Sequence, residues 1–178
     1  MKLPDDLLPS DILLYGTPDI VDGVIQTYTG SDVAHIEIYH GNGLSLASRN
    51  GIGVNAYPYR SDGLRYVRRL VCPFDRAKAD AWFYAKAKGL PYGFAGLLTF
   101  VNVDIPCTGL ICSVFANLYL QNGDALLFAD DYPVRKIDPR DFKLTREAIT
   151  VWALGLSAST VPVFNQEQVP DGGESHSV

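Results

Sequence analysis

Apolar and polar positions alternate over Val33 to Tyr39, with Ala34, Ile36 and Ile38 on one side of an extended chain and His35, Glu37 and Tyr39 on the other. The pattern predicts a half-buried strand. His40-Gly41-Asn42-Gly43 is a turn signal, and Leu44 to Ser48 is the natural return strand of a hairpin. Upstream, Asp11-Ile12-Leu13-Leu14-Tyr15 is a continuous apolar run that reads as a short buried strand. Thr17-Pro18 then offers an N-cap and a first-turn proline to a helix through Ile20, Val21, Val24, Ile25 and Tyr28, stopped by Gly30. Further strands are expected at Gly53 to Tyr59 and Leu64 to Val71, where Pro58 and the arginine-rich flanks suggest an edge position.

Helical spacing returns after Asp75, which can cap a helix through Ala77, Ala81, Trp82 and Ala85 that stops at Gly89. Thr108 can cap a second helix, whose Ile111, Val114, Phe115, Leu118 and Tyr119 form an apolar stripe ending at Asn122-Gly123. Cys112 then falls in its first turn. Residues 130–142, around Pro133 and Pro139, read as a loop. The apolar stretch from Ala148 to Phe164 is broken by Gly155, Ser157, Ser159, Thr160 and Pro162, so it falls short of the roughly 18 continuous apolar residues of a membrane span. Residues 165–178 are polar and aperiodic. The expected organisation is a domain over 1–145, an apolar C-terminal extension over 146–164 that could dock a protein partner, and a flexible tail over 165–178.

Composition narrows the function classes. With 178 residues, 47% of them hydrophobic and 20% charged, the chain suits one soluble domain with a real core. Fifteen Lys and Arg against twenty Asp and Glu leave a net charge of −5, so the broad basic surface that nucleic acid requires is missing. Three cysteines, Cys72, Cys107 and Cys112, behind an N-terminus without an apolar leader, argue against a secreted disulfide scaffold and for cytoplasmic synthesis.

A thiol in the first turn of a helix meets the positive end of the macrodipole and unpaired backbone N–H groups, both of which favour thiolate and could hold a developing oxyanion. Cys112 is therefore the candidate nucleophile, and His35, which interrupts an apolar strand, is the candidate base. His40 in the turn and His176 in the tail carry no such expectation. If Gly41-Asn42 form the two-residue loop, Ser48 lies directly opposite His35 and its hydroxyl could fix the imidazole tautomer. Glu37 competes for that place with a negative charge, at roughly 6.5 Å along the strand against roughly 4.5 to 5.5 Å for a directly opposed pair. Ser48 is the expected orienting residue. Cys107 and Cys112 with so few histidines lack the paired spacings of structural zinc, the glycines form no phosphate-binding fingerprint, and no cofactor is expected. Arg60, Arg65, Arg68 and Arg69 could bind a substrate carboxylate, although a solvated edge strand is their simpler place.

Taken together, these segments resemble the circularly permuted, NlpC-type papain-like cysteine hydrolases. The resemblance rests on Ser10 to Tyr15 as the opening strand, Val33 to Gly43 as the histidine hairpin, Pro91-Tyr92-Gly93-Phe94-Ala95-Gly96-Leu97-Leu98 as the tyrosine segment and Ile111-Cys112-Ser113-Val114-Phe115-Ala116-Asn117 as the cysteine helix. It covers about residues 10–142, and His35 precedes Cys112 as in the permuted branch. It implies an α+β fold in which an antiparallel sheet packs against the helix that carries the cysteine. Cys112 would be the nucleophile, His35 the base, Ser48 the polar residue after the histidine, and Tyr92 and Ser113 the groups on the substrate and oxyanion side. A serine departs from the Glu, His, Asn or Gln usual in that third position. The implied activity is cleavage of an amide, peptide or isopeptide, through an acyl-enzyme, as in cell-wall peptides. Relatives include lipid acyltransferases, and a catalytically weak scaffold serving a larger assembly is the alternative of a different class.

The polar tail has too few apolar residues to offset the entropy of ordering it. Deleting Asn165 to Val178 is expected to leave the melting temperature within about 2 °C of the full chain by calorimetry, since surface changes rarely exceed about 0.5 kcal/mol.

Overall fold

Five runs of β-forming residues and a late apolar stretch meet in one antiparallel sheet. The computed structural model describes residues 6–16, 30–93, 109–129, 133 and 137–154. Its strands are β1 (Ile12–Tyr15), β2 (His35–Gly41), β3 (Leu44–Arg49), β4 (Gly53–Pro58), β5 (Leu64–Leu70) and β6 (Ala148–Ala153), in the order β4-β3-β2-β1-β5-β6. With helices on one side, the architecture is α+β. The expected helix over Thr17 to Tyr28, Cys107, Thr108, His176 and the tail lie outside the described residues.

The unbroken apolar run of β1 follows from its central place. Ile12 and Leu14 enter the main core, whereas Leu13 and Tyr15 join a second cluster with Leu64 and Val67 on the opposite face. A strand covered on both faces reads as a continuous apolar run rather than an alternation. The main core is closed by α1 (Arg76–Trp82), which continues into a π-helical turn at Phe83–Ala87, and by α2 (Cys112–Asn122). Asp75 caps α1 by accepting from the Lys78 N–H at 3.0 Å, as its sequence predicts. Phe83, Phe115, Ala116, Tyr119 and Leu120 of these helices pack on Ile36, Ile38 and Leu46 of the sheet.

Four expectations change. First, β2 is buried on both faces rather than half-buried, with Glu37 at 0% and His35 at 6% exposure. Second, the hairpin turn is Asn42-Gly43, both at positive φ, and Gly41 adds a bulge at φ 97°. Ile38 therefore pairs with Leu46 and Tyr39 with Ser45, one residue out of the expected register, and a one-residue slip moves every β3 side chain to the other face. Third, Pro139 starts a helix rather than extending a loop. Asp138 caps α3 (Pro139–Leu144) in a reciprocal box with Asp141, with the proline in the first turn where its missing N–H costs nothing. Fourth, Ala148–Ala153 is not an appendage but the strand β6, which pairs with β5.

That last pairing takes β5 off the edge and buries Arg68. Its guanidinium donates to the carbonyls of Lys143, Thr145 and Ala148, tying the end of α3 and the start of β6 to the sheet. The edge expected from Pro58 does hold for β4, where Val54 also exchanges hydrogen bonds with Gly89 and Leu90 at 2.8 Å each.

Among the described residues no helix is long and apolar enough to cross a membrane. Arg68→Ala is expected to lower stability by about 3 kcal/mol in urea unfolding, because three carbonyls, one buried and two half-buried, lose a charged donor. Arg68→Lys is expected to recover less than half of it, since one ammonium cannot reproduce the fork.

Candidate active site

Cys112 is the first residue of α2, behind Ile111 as N-cap, and no side chain caps this helix end. The first-turn N–H groups beside the thiol thus have no side-chain acceptor, which leaves them able to meet an incoming oxygen. Cys112 itself is 3% exposed.

The approach to Cys112 is held from two directions. Leu110 forms an isolated parallel bridge with Tyr92, its N–H donating to the Pro91 carbonyl at 3.1 Å and its carbonyl accepting from Gly93 N–H at 3.2 Å. Gly109 permits this approach, because a Cβ there would stand 2.7 Å from Gly93 N and Tyr92 C. The Ser48 hydroxyl, fully buried, donates to the same Leu110 carbonyl at 2.5 Å. Ser113 is also used internally, donating to the Ile137 carbonyl at 2.5 Å. Half-buried Tyr92 therefore borders the segment that leads into the thiol, whereas the Ser113 hydroxyl fastens α2 to the chain before α3.

On the histidine side, Nε2 of His35 lies 3.2 Å from Oε1 of Glu37. This corrects the expected role of Ser48: the Gly41 bulge turns Ser48 to the face of Ile36 and Ile38, where it serves the cysteine segment, and Glu37 is the polar group at the imidazole. The opposite prospect, that a carboxylate two positions along a strand lies too far away, fails because both side chains reach toward each other along a fully covered face. With Nε2 turned to Glu37, Nδ1 is the nitrogen left for Cys112. Burial disfavours charge on His35, but the charge and hydrogen bonding of Cys112, then of Glu37, outweigh it and push its pKa up to about 9.

Glu37 holds its charge although buried. Arg49 donates to it twice, Nε to Oε1 at 2.9 Å and an Nη to Oε2 at 3.1 Å, Ser45 donates to Oε2, and Arg60 Nε lies 3.6 Å from Oε1. Burial works against the carboxylate, yet hydrogen bonds from His35, Arg49 and Ser45 hold its pKa down at about 2. Arg49 lies over the Tyr57 ring and Arg60 over the Tyr15 ring, the latter tyrosine standing opposite His35 in the β1–β2 ladder. Sequence reading missed Ser45, Arg49 and Tyr15. Odd-numbered positions on β3 would have pointed to the first two had the bulge been foreseen.

The other histidine and thiol have separate places. His40 is not solvated: its Nε2 lies 3.2 Å from Asp80 Oδ1, which also accepts from Tyr119 at 2.7 Å, and Arg76 donates to the His40 carbonyl. This network joins β2 to α1 and α2. Burial pushes the half-buried Cys72 thiol up. Among the described residues no cluster of three or more His, Cys, Asp or Glu side chains is placed to hold a metal ion. Neither a family model nor a curated protein matches the sequence.

Two titrations follow. Glu37→Gln is expected to lower the His35 pKa by at least about one unit in imidazole NMR, because it removes a charge in hydrogen-bond contact, whereas Ser48→Ala leaves it in place. Linkage gives the second. His35, raised from 6.5, stabilises fully below pH 6.5 and loses that contribution as pH rises through about 9; Glu37, lowered from 4.5, stabilises fully above pH 4.5 and loses it as pH falls toward about 2. Denaturant midpoints across pH 2 to 10 are expected to decline on both limbs, with the acid limb flattened in Glu37→Gln.

Proposed function

We propose that the protein is a cysteine hydrolase with a permuted papain-like fold, in which Cys112 is the nucleophile, His35 the general base and acid, and Glu37 the residue that orients His35. The observation that carries this reading is the placement of one imidazole between a helix-start thiol and a buried, ionised carboxylate. A purely structural histidine has little use for a carboxylate so heavily solvated by protein donors, whereas a base needs its second nitrogen held and its cationic form stabilised.

The reaction runs as two acyl transfers. The Cys112 proton passes to Nδ1 of His35 before sulfur, as thiolate, attacks the carbonyl carbon of an amide, and the carbonyl electron pair moves to oxygen, where the first-turn N–H groups of α2 receive it. Collapse breaks the C–N bond, and the proton passes from His35 to the departing amine. His35 next takes a proton from water, which attacks the thioester, releasing a carboxylic acid and restoring the thiol. Throughout, Glu37 faces the protonated ring. The resemblance points to a peptide or isopeptide bond, as in peptidoglycan peptides, and Tyr92 borders the side from which such a chain would approach.

The burial of Cys112 at 3% exposure favours a second reading, an inactive scaffold within a larger assembly. Thiol reactivity separates the two. Iodoacetamide near neutral pH is expected to alkylate Cys112 at least about ten times faster than Cys72 in the native protein, because an activated thiol reacts as thiolate and a buried structural one is inert. Peptide mapping after brief exposure reads the order, and Cys72 labelling ahead of Cys112 would favour the scaffold. His35→Ala is expected to slow Cys112 alkylation by a comparable factor.

A further inference from the structure

Arg60 follows β4 and is held at both ends. Its backbone carbonyl accepts from the buried Tyr15 hydroxyl at 2.9 Å, and its guanidinium folds back over the same Tyr15 ring, 4.8 Å from the ring centre. That ring stands 6.1 Å from the imidazole of His35. A single oxygen, Glu37 Oε1, is shared by three groups, 2.9 Å from Arg49 Nε, 3.2 Å from His35 Nε2 and 3.6 Å from Arg60 Nε.

Charge does not balance at this place. Arg49 already gives Glu37 a two-point contact, and the same Nη donates a further bond to the Pro58 carbonyl. Of the two guanidiniums at Glu37, Arg49 takes the two-point contact and Arg60 is left without one. For Arg60, Nε is buried without a hydrogen-bond partner, Glu37 stands beyond hydrogen-bond range, and 38% of the side chain is open to solvent. A cation stacked on an aromatic ring, fixed in direction and short of acceptors is prepared for an anion from outside.

We infer that Arg60 is the anchor for a carboxylate on the substrate, so that the chain cleaved at Cys112 carries a carboxylate a few bonds from its scissile amide. The inference rests on the hydrolase reading. A monoanion matches the single charge of Arg60, and the planar fork of a guanidinium matches the two oxygens of a carboxylate. A phosphate dianion would overshoot that one charge. Arg60 is thus a specificity-determining residue, distinct from Glu37, which acts on His35.

Alkylating acids with graded reach test this without requiring the natural substrate. N-(Iodoacetyl)glycine, N-(iodoacetyl)-β-alanine and N-(iodoacetyl)-γ-aminobutyrate are compared with their neutral methylamides. In each case the Cys112 sulfur displaces iodide to form a C–S bond and the thiol proton is lost to His35 or solvent. For at least one length, the acid-to-amide rate ratio at Cys112 is expected to exceed that of Arg60→Gln by at least about fivefold, each acid being referred to its methylamide in the same protein so that any change in the thiol itself cancels, as for loss of a steering charge. Arg60→Lys, which keeps the charge without the fork, is expected to fall between them and serves alone should the glutamine variant fail to fold. A ratio unchanged in the variants at every length, with Cys112 still readily alkylated by the amides, would overturn the anchor and leave the hydrolase reading intact. Failure of every reagent to label native Cys112 would overturn both.

Discussion

An ionised carboxylate with no access to water is what the site is built around. Moving such a group out of water costs several kcal/mol even after relaxation, and only close donors can offset it. Glu37 collects them from His35 of β2 itself and from Ser45 and Arg49 of β3. The two strands of the hairpin are therefore bound to one point. His35 takes its orientation from the same point, so the constraint that keeps the sheet face satisfied also sets the imidazole.

The two halves of the site are braced independently and meet through packing. Ser48 and the Pro91 to Gly93 segment fix the chain before Cys112, while Glu37 fixes His35 from the opposite face of β2. What brings them together is the seating of α2 on β2 and β3 through Phe115, Ala116, Ile36 and Leu46. Misplacement of a reacting group by an ångström can cost a hundredfold in rate, so on the proposed hydrolase function core volume here has catalytic as well as thermodynamic weight.

Strands β1 to β5 and both long helices were legible because their periods are clear, and at α1 the cap agrees: an apolar run, an alternation, Asp75 ahead of a helical stripe. The register was not, since whether Gly41 or Gly43 closes the turn depends on a bulge that carries almost no composition signal. The consequence was specific. It exchanged Ser48 for Ser45 and Arg49 on the histidine's face and so ranked Ser48 ahead of Glu37 as the orienting residue. Arg68 misled for a related reason, since arginine on a strand reads as an edge until a distant segment, here β6, is known to cover it. Pro139 shows the opposite case, where Asp138 just before it and Asp141 three residues after Asp138 carried the helix start openly.

β1 has a further consequence, which concerns the order in which the chain is made. It is the central strand, yet both of its neighbours, β2 and β5, follow it in sequence, β5 by some fifty residues. During synthesis Ile12-Leu13-Leu14-Tyr15 leaves the ribosome as an apolar ribbon with two open hydrogen-bonding edges, and at about 5 to 20 residues per second it waits seconds for the second to be covered. A four-residue strand is short enough to limit pairing with another nascent chain in that interval, which gives its brevity a kinetic meaning that the finished sheet no longer reveals.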